Sequence, residues 1–198
     1  MLRIRRSQAG YSLPEVLVAT AVTSLLLAAV ATAVVGLLGA YRKVQDTQLA
    51  DDRGRVVLDR LDRDLRQAGT LNTPGVAGGV AYVEYQTDVG PAGAAASCTQ
   101  WRLDGASHVL AVRRWTLPAP ASAPAWSTVA TGVVNDLTAE PPFQVTPAQG
   151  AVEHAQLTVQ LRLALDRGQA LTRATVTARN SVPDSGSPSP VCMSYGRS

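Results

Sequence analysis

The chain divides by the spacing of its apolar positions. From Val16 to Tyr41 runs a stretch of 26 residues with no formal charge, broken only by the hydroxyls of Thr20, Thr23, Ser24 and Thr32. About 20 apolar residues span a bilayer, so the length suits a transmembrane helix. From residue 42 the pattern becomes amphipathic. Leu58, Leu61, Leu65 and Ala68 recur at three- and four-residue steps, which predicts one helical stripe, expected to pack on the rest of the protein. Asp51/Arg55, Asp59/Arg63 and Asp62/Arg66 lie four apart with the acid first, the order that supports a helix. No proline interrupts residues 15–73, and Gly69 is placed to cap the helix. One helix from Tyr11 to Ala68 would be about 87 Å long.

Beyond residue 70 the period shortens to two. Val80–Tyr85, Cys98–Leu103, His108–Leu117 and Val129–Val134 carry strand-forming residues, with Asp104-Gly105 as a turn pair. Leu157, Val159, Leu161, Leu163 and Leu165 alternate over five apolar positions. Residues 166–169 then turn this strand into 171–180, which predicts an antiparallel hairpin covering the Leu58/Leu61/Leu65 stripe. Residues 181–198 are rich in Ser, Pro and Gly and read as an irregular tail unless Cys192 pins them. The fold class is α+β.

Charge changes little. The net charge of +3 comes from Arg3, Arg5 and Arg6. Without residues 1–10 the chain has 15 basic and 15 acidic side chains, which removes any global argument for a polyanionic partner. Arg113-Arg114-Trp115 has the composition of a nucleic-acid contact, against the reading of a strand with one wet face. Cys98 and Cys192 form a disulfide in an oxidising compartment, or are two separate free thiols. With these cysteines so far apart in sequence and only two histidines, His108 and His154, each standing alone, no metal site is expected. There is no nucleophile elbow and no phosphate-binding glycine loop, so neither an enzyme nor a cofactor is expected.

Glu15 sharpens the N-terminal reading. It stands at the mouth of the apolar run, and a carboxylate near hydrocarbon costs a few kcal/mol unless paired. The segment Gly10-Tyr11-Ser12-Leu13-Pro14-Glu15-Val16-Leu17-Val18-Ala19, behind a basic leader, resembles the type III signal of type IV prepilins. The resemblance implies cleavage after Gly10, N-methylation of Tyr11, and pairing of Glu15 with the terminal amine of a neighbouring subunit. The family usually has Phe at the Tyr11 position and often Leu or Ile at the Pro14 position. Proline is tolerated in a first helical turn. The segment Asp59-Arg60-Leu61-Asp62-Arg63-Asp64-Leu65-Arg66-Gln67-Ala68-Gly69 is similar to the end of the spine in PilW-like minor pilins and J-type pseudopilins.

The resemblance implies a pilin-like fold, a long helical spine on an antiparallel β-sheet head. Residues 1–10 would be a cleaved leader, 11–41 the transmembrane or filament-core helix, 42–69 its amphipathic continuation, 70–180 the head and 181–198 the tail. It implies a minor pilin of a type IV pilus, or a J-type pseudopilin of a secretion or DNA-uptake pseudopilus. The partners would be other minor pilins, the major pilin, the prepilin peptidase and the inner-membrane assembly platform. The location would be the inner membrane, head outward, and then the filament. Against this stand an ordinary export signal, for which Ala29-Val30-Ala31 offers a small-x-small cleavage site, and a plain membrane anchor; either would carry an exported or anchored binding domain. Gly36, Gly39 and Gly54 are read two ways, as close packing or as places where the helix bends or melts.

Overall fold

A computed structural model describes residues 12–88, 95–149, 151–181 and 191–197. Residues 1–43 and 44–198 form two compact units. One helix, α1 (Leu13–Leu65), contributes to both.

In the first unit the described residues are helical from Leu13, and their apolar side chains are exposed, among them Leu25, Leu27, Val35 and Leu37. The mean hydropathy reaches 2.3 over an 18-residue window, so this helix is long and apolar enough to cross a membrane. Thr20, Thr23, Ser24 and Thr32 turn their hydroxyls onto carbonyls three or four residues back. Each of these four hydroxyls thereby has an acceptor within the helix, which is what a medium without water requires.

In the second unit α1 buries Ala50, Gly54, Val57, Leu58, Leu61 and Leu65. The stripe shares one core with residues of two antiparallel sheets. The chain supplies nine strands among the described residues: β1 (Ala68–Leu71), β2 (Gly75–Ala77), β3 (Val80–Thr87), β4 (Ser97–Asp104), β5 (Val109–Thr116), β6 (Ser127–Thr131), β7 (Phe143–Thr146), β8 (Gln156–Leu165) and β9 (Gly168–Thr177). The larger sheet runs β1-β3-β4-β5-β6, with β2 also on β3; the smaller runs β7-β8-β9. A bridge between Val133 and Leu163 links the segment after β6 to β8. The architecture is pilin-like: a long N-terminal helix packed against antiparallel sheets.

Two features of the helix differ from the sequence expectation. It stops at Leu65, and Ala68 enters β1, where Ala68 pairs with Thr87 and Leu71 with Tyr85. Gly69 is therefore a strand residue, not a helix cap; a Cβ there would strike the Asp88 carboxylate. Strand pairing satisfies the backbone at 68–71, and Ala68 is fully buried, so the sheet wins over a further helical turn. Second, Asp51–Arg55 and Asp62–Arg66 form ion pairs, but Arg63 donates to the backbone oxygen of Asp59.

The β8–β9 hairpin pairs over its whole length, from Gln156–Thr177 to Leu165–Gly168, around a two-residue turn. Its apolar positions Leu157, Val159, Leu161 and Leu163 are buried in the core that also holds the helix stripe. Its tip lies on the helix, where the Arg167 N–H donates to Asp46. Gly54 and Gly168 mark close approaches: a Cβ on Gly54 would meet Thr172, and one on Gly168 would lie 2.5 Å from the Thr47 nitrogen. Nothing lies within 4 Å of a Cβ at Gly36 or Gly39. For Gly54, close packing is the observed use.

β6 covers Ser127–Thr131 instead of reaching Val134, because Gly132 takes a positive φ and hands the chain to β8. The strands β1, β2 and β7 have no counterpart in the sequence expectation.

Candidate functional site

Two places carry unusual chemistry. The first is the start of α1. Ser12 precedes the helix, and its carbonyl accepts the N–H groups of Glu15 and Val16. Pro14 falls in the first turn, where a missing N–H costs nothing. Glu15 is exposed and makes no ion pair among the described residues. It borders a shallow groove of about 630 Å³ lined also by Val16, Ala19, Thr20, Thr23 and Ser24. A carboxylate is thus held at the edge of an apolar surface with only small side chains beside it, which leaves room for a second chain to approach. Gly10 and Tyr11 lie outside the described residues.

The second place is the outer face of the larger sheet. Strand register stacks three rows across β3, β4 and β5: Tyr82–Arg102–Ala111, Glu84–Gln100–Arg113 and Gln86–Cys98–Trp115. The middle row is a hydrogen-bonded relay. Gln100 donates to Glu84 at 3.0 Å and accepts from the Arg113 Nε at 2.7 Å. Glu84, Gln100 and Arg113 are buried because residues 191–197 return across them.

This returning strap is held at both ends. Cys192 is bonded to Cys98, and Asn72 exchanges hydrogen bonds with the backbone of Val191. Arg197 donates twice to Glu84, at 3.0 and 2.8 Å, and once to the Thr73 carbonyl. Between them the Gly196 carbonyl accepts from Gln100 and Arg113, and Tyr195 meets Trp115 edge to face at 5.0 Å. The hydrogen bond from Arg197 to Glu84 raises the arginine pKa, whereas burial, then the like charge of Arg102, lowers that of Arg113. Arg102 and Arg113 both lie over the Trp126 ring.

The run Arg113-Arg114-Trp115 is split between faces by the strand period. Arg113 and Trp115 lie under the strap, while Arg114 points to the helix side and pairs with Asp64 at 2.7 Å. Leu58, Leu61 and Leu65 are buried in the head core. Among the described residues there is no cluster of three or more metal-ligating side chains. Glu84, Gln100 and Arg197 escaped sequence reasoning, which singled out Arg113 only as part of a nucleic-acid contact or a wet strand face. Glu84 inside the apolar run Val80–Tyr85 was the one available signal.

The helix thus presents an exposed apolar run of 26 residues, Val16 to Tyr41, with one carboxylate at its start. Residues 5–31 match the family model of the prokaryotic N-terminal methylation motif. The N-terminus is type IV prepilin-like. The match covers Glu15 and the first half of the apolar run, and prepilin-like proteins are structural rather than enzymatic. They assemble with other pilins after acting as substrates of a prepilin peptidase. A membrane-anchored, pilus-associated protein is compatible with the apolar helix. No curated protein and no solved structure matches the chain.

Proposed function

We propose that this chain is a minor pilin, a subunit that joins, initiates or caps a type IV pilus. The observation that carries the proposal is the coincidence of the methylation motif with an exposed apolar helix whose first turn holds Glu15. In this reading residues 1–10 are a leader cut after Gly10, Tyr11 becomes the methylated N-terminus, and the apolar half of α1 is stored in the inner membrane. Glu15 then neutralises the terminal amine of a neighbouring subunit. Two opposite charges brought together away from water attract far more strongly than in bulk solvent, so the pair sets the register of the incoming helix. The head contributes lateral contacts. The partners are other minor pilins, the major pilin, the peptidase and the inner-membrane platform.

The test is the mass of the mature protein and its presence in sheared filaments. A start at methylated Tyr11 is expected, with Gly10→Ala retaining the leader in the membrane. Glu15→Ala is expected to be processed normally but lost from the filament fraction. A mature start near Thr32, or undiminished incorporation of Glu15→Ala, overturns the reading.

A further inference from the structure

Most charges on the head portion of α1 are satisfied within the chain. Asp51 pairs with Arg55, Asp62 with Arg66 and Asp64 with Arg114. Asp52, Arg53, Asp59 and Arg60 are different: all four are exposed, and their side chains make no hydrogen bond or ion pair among the described residues. The acids are seven residues apart, and so are the bases. Between them lie Leu49 and Val56, also seven apart, which are 46% and 69% exposed on a helix otherwise buried along its core stripe.

Helical geometry turns this spacing into a surface. At about 100° per residue, Asp52 and Asp59 form one column, Leu49 and Val56 a second about 60° further round, and Arg53 and Arg60 a third beyond it. The apolar column has an acidic flank on one side and a basic flank on the other. Its midline lies about 140° from that of the buried stripe by the same geometry. The basic flank borders a groove of about 540 Å³, lined by Arg53, Val56, Val57 and Arg60 and by Val129–Thr131 of the edge strand β6. Asp52 stands at the rim of the same groove.

We infer that this three-column surface docks against the same surface of a second copy, the two helices lying parallel. In that arrangement Leu49 and Val56 of both helices share one seam. The acidic flank of each helix then faces the basic flank of the other, as the charged positions beside a coiled-coil seam do. Seven residues of helix span about 10.5 Å for acids and bases alike, so a near-level pair satisfies all four charges of each copy at once. An antiparallel pair instead sets acidic flank against acidic flank and basic against basic, so the charges select the parallel arrangement. Exposed ion pairs contribute little singly, so the contact acts where both copies are confined to one membrane and their effective concentration is high. The inference rests on the assembly proposal only in placing both copies in one membrane.

The experiment uses the full chain with Leu49→Cys in phosphatidylcholine vesicles, the Cys98–Cys192 bond intact, and copper-phenanthroline oxidation read on a non-reducing gel. A Leu49→Cys to Leu49→Cys cross-linked dimer is expected at low salt. Adding Arg53→Asp with Arg60→Asp, or Asp52→Arg with Asp59→Arg, is expected to cut it at least fivefold. Mixing the two reversed forms, one carrying a size tag, restores a mixed dimer. Cross-linking that ignores both reversals, or is not restored on mixing, or is absent throughout, overturns the inference. The vesicles contain no filament, so loss of this contact with Glu15-dependent incorporation intact removes the inference and leaves the assembly proposal standing.

Discussion

Replacing Arg197 by alanine tests how the strap is held. Glu84 is fully buried, and its partners are Arg197, Gln100 and Asn72. Removing one partner of a buried ion pair costs about 3–5 kcal/mol, because the remaining charge has lost its compensation without regaining water. Two considerations place Arg197→Ala at the lower end. Gln100 and Asn72 still donate to the carboxylate, and Arg197 is itself partly exposed, so water can reach the vacated position. We expect a loss of about 3 kcal/mol. At about 2–4 °C per kcal/mol for a domain of this size, the midpoint of thermal unfolding falls by about 6–12 °C.

The assay is thermal and urea denaturation of the full chain in detergent, with a second variant carrying both Arg197→Ala and Glu84→Gln. The double variant removes the stranded charge as well as its partner, and is expected to recover at least half of the loss. An Arg197→Ala midpoint within 2 °C of the parent would refute the argument. So would a double variant no more stable than the single one, since the penalty would then lie in lost packing and not in an uncompensated carboxylate.

Gly168→Ala drives a methyl group against the backbone of the helix at Thr47, which cannot yield as a side-chain end would. A loss of about 1–3 kcal/mol is expected from overpacking, measured by the same denaturation. Acid sensitivity follows from three carboxylates held below their ordinary pKa. A hydrogen bond from Arg162 does this at Glu140, and backbone N–H groups, chiefly those of Ser107 and Ala139, do it at Asp104 and Asp136. Because the folded value is the lower one, their stabilisation is complete above the unfolded value of about 4 and disappears as pH falls through the folded values. Unfolding temperatures should therefore be level from pH 6 to pH 5 and decline below pH 4. A rise in that lower range would contradict the assignment.

The long elements were legible in the sequence because their periodicity repeats often enough to be seen. The uncharged run to Tyr41 marks α1, and five alternating apolar residues mark β8. The strands β1, β2 and β7 have three or four residues each, too few to display a period, and exist because β3 and β8 offer them a paired backbone. The same limit explains the misplaced helix end. The residues 66–68 continue a helical stripe locally, and only the distant Thr87 turns Ala68 into a strand residue. Glu15 could be read as unusual because its neighbours in sequence are apolar. Glu84 could not be interpreted that way, because its partners Asn72, Gln100 and Arg197 are brought to it by sheet register and by the return of a tail 113 residues away.

The Cys98–Cys192 bond closes a loop of 94 residues, and every described strand precedes its second cysteine. Cys98 lies in β4 and its partner beyond β9, so the bond closes only on a head whose nine described strands are all present. The covalent closure therefore works as a completion seal: a head truncated before the strap keeps an open thiol at Cys98 and an uncovered Glu84.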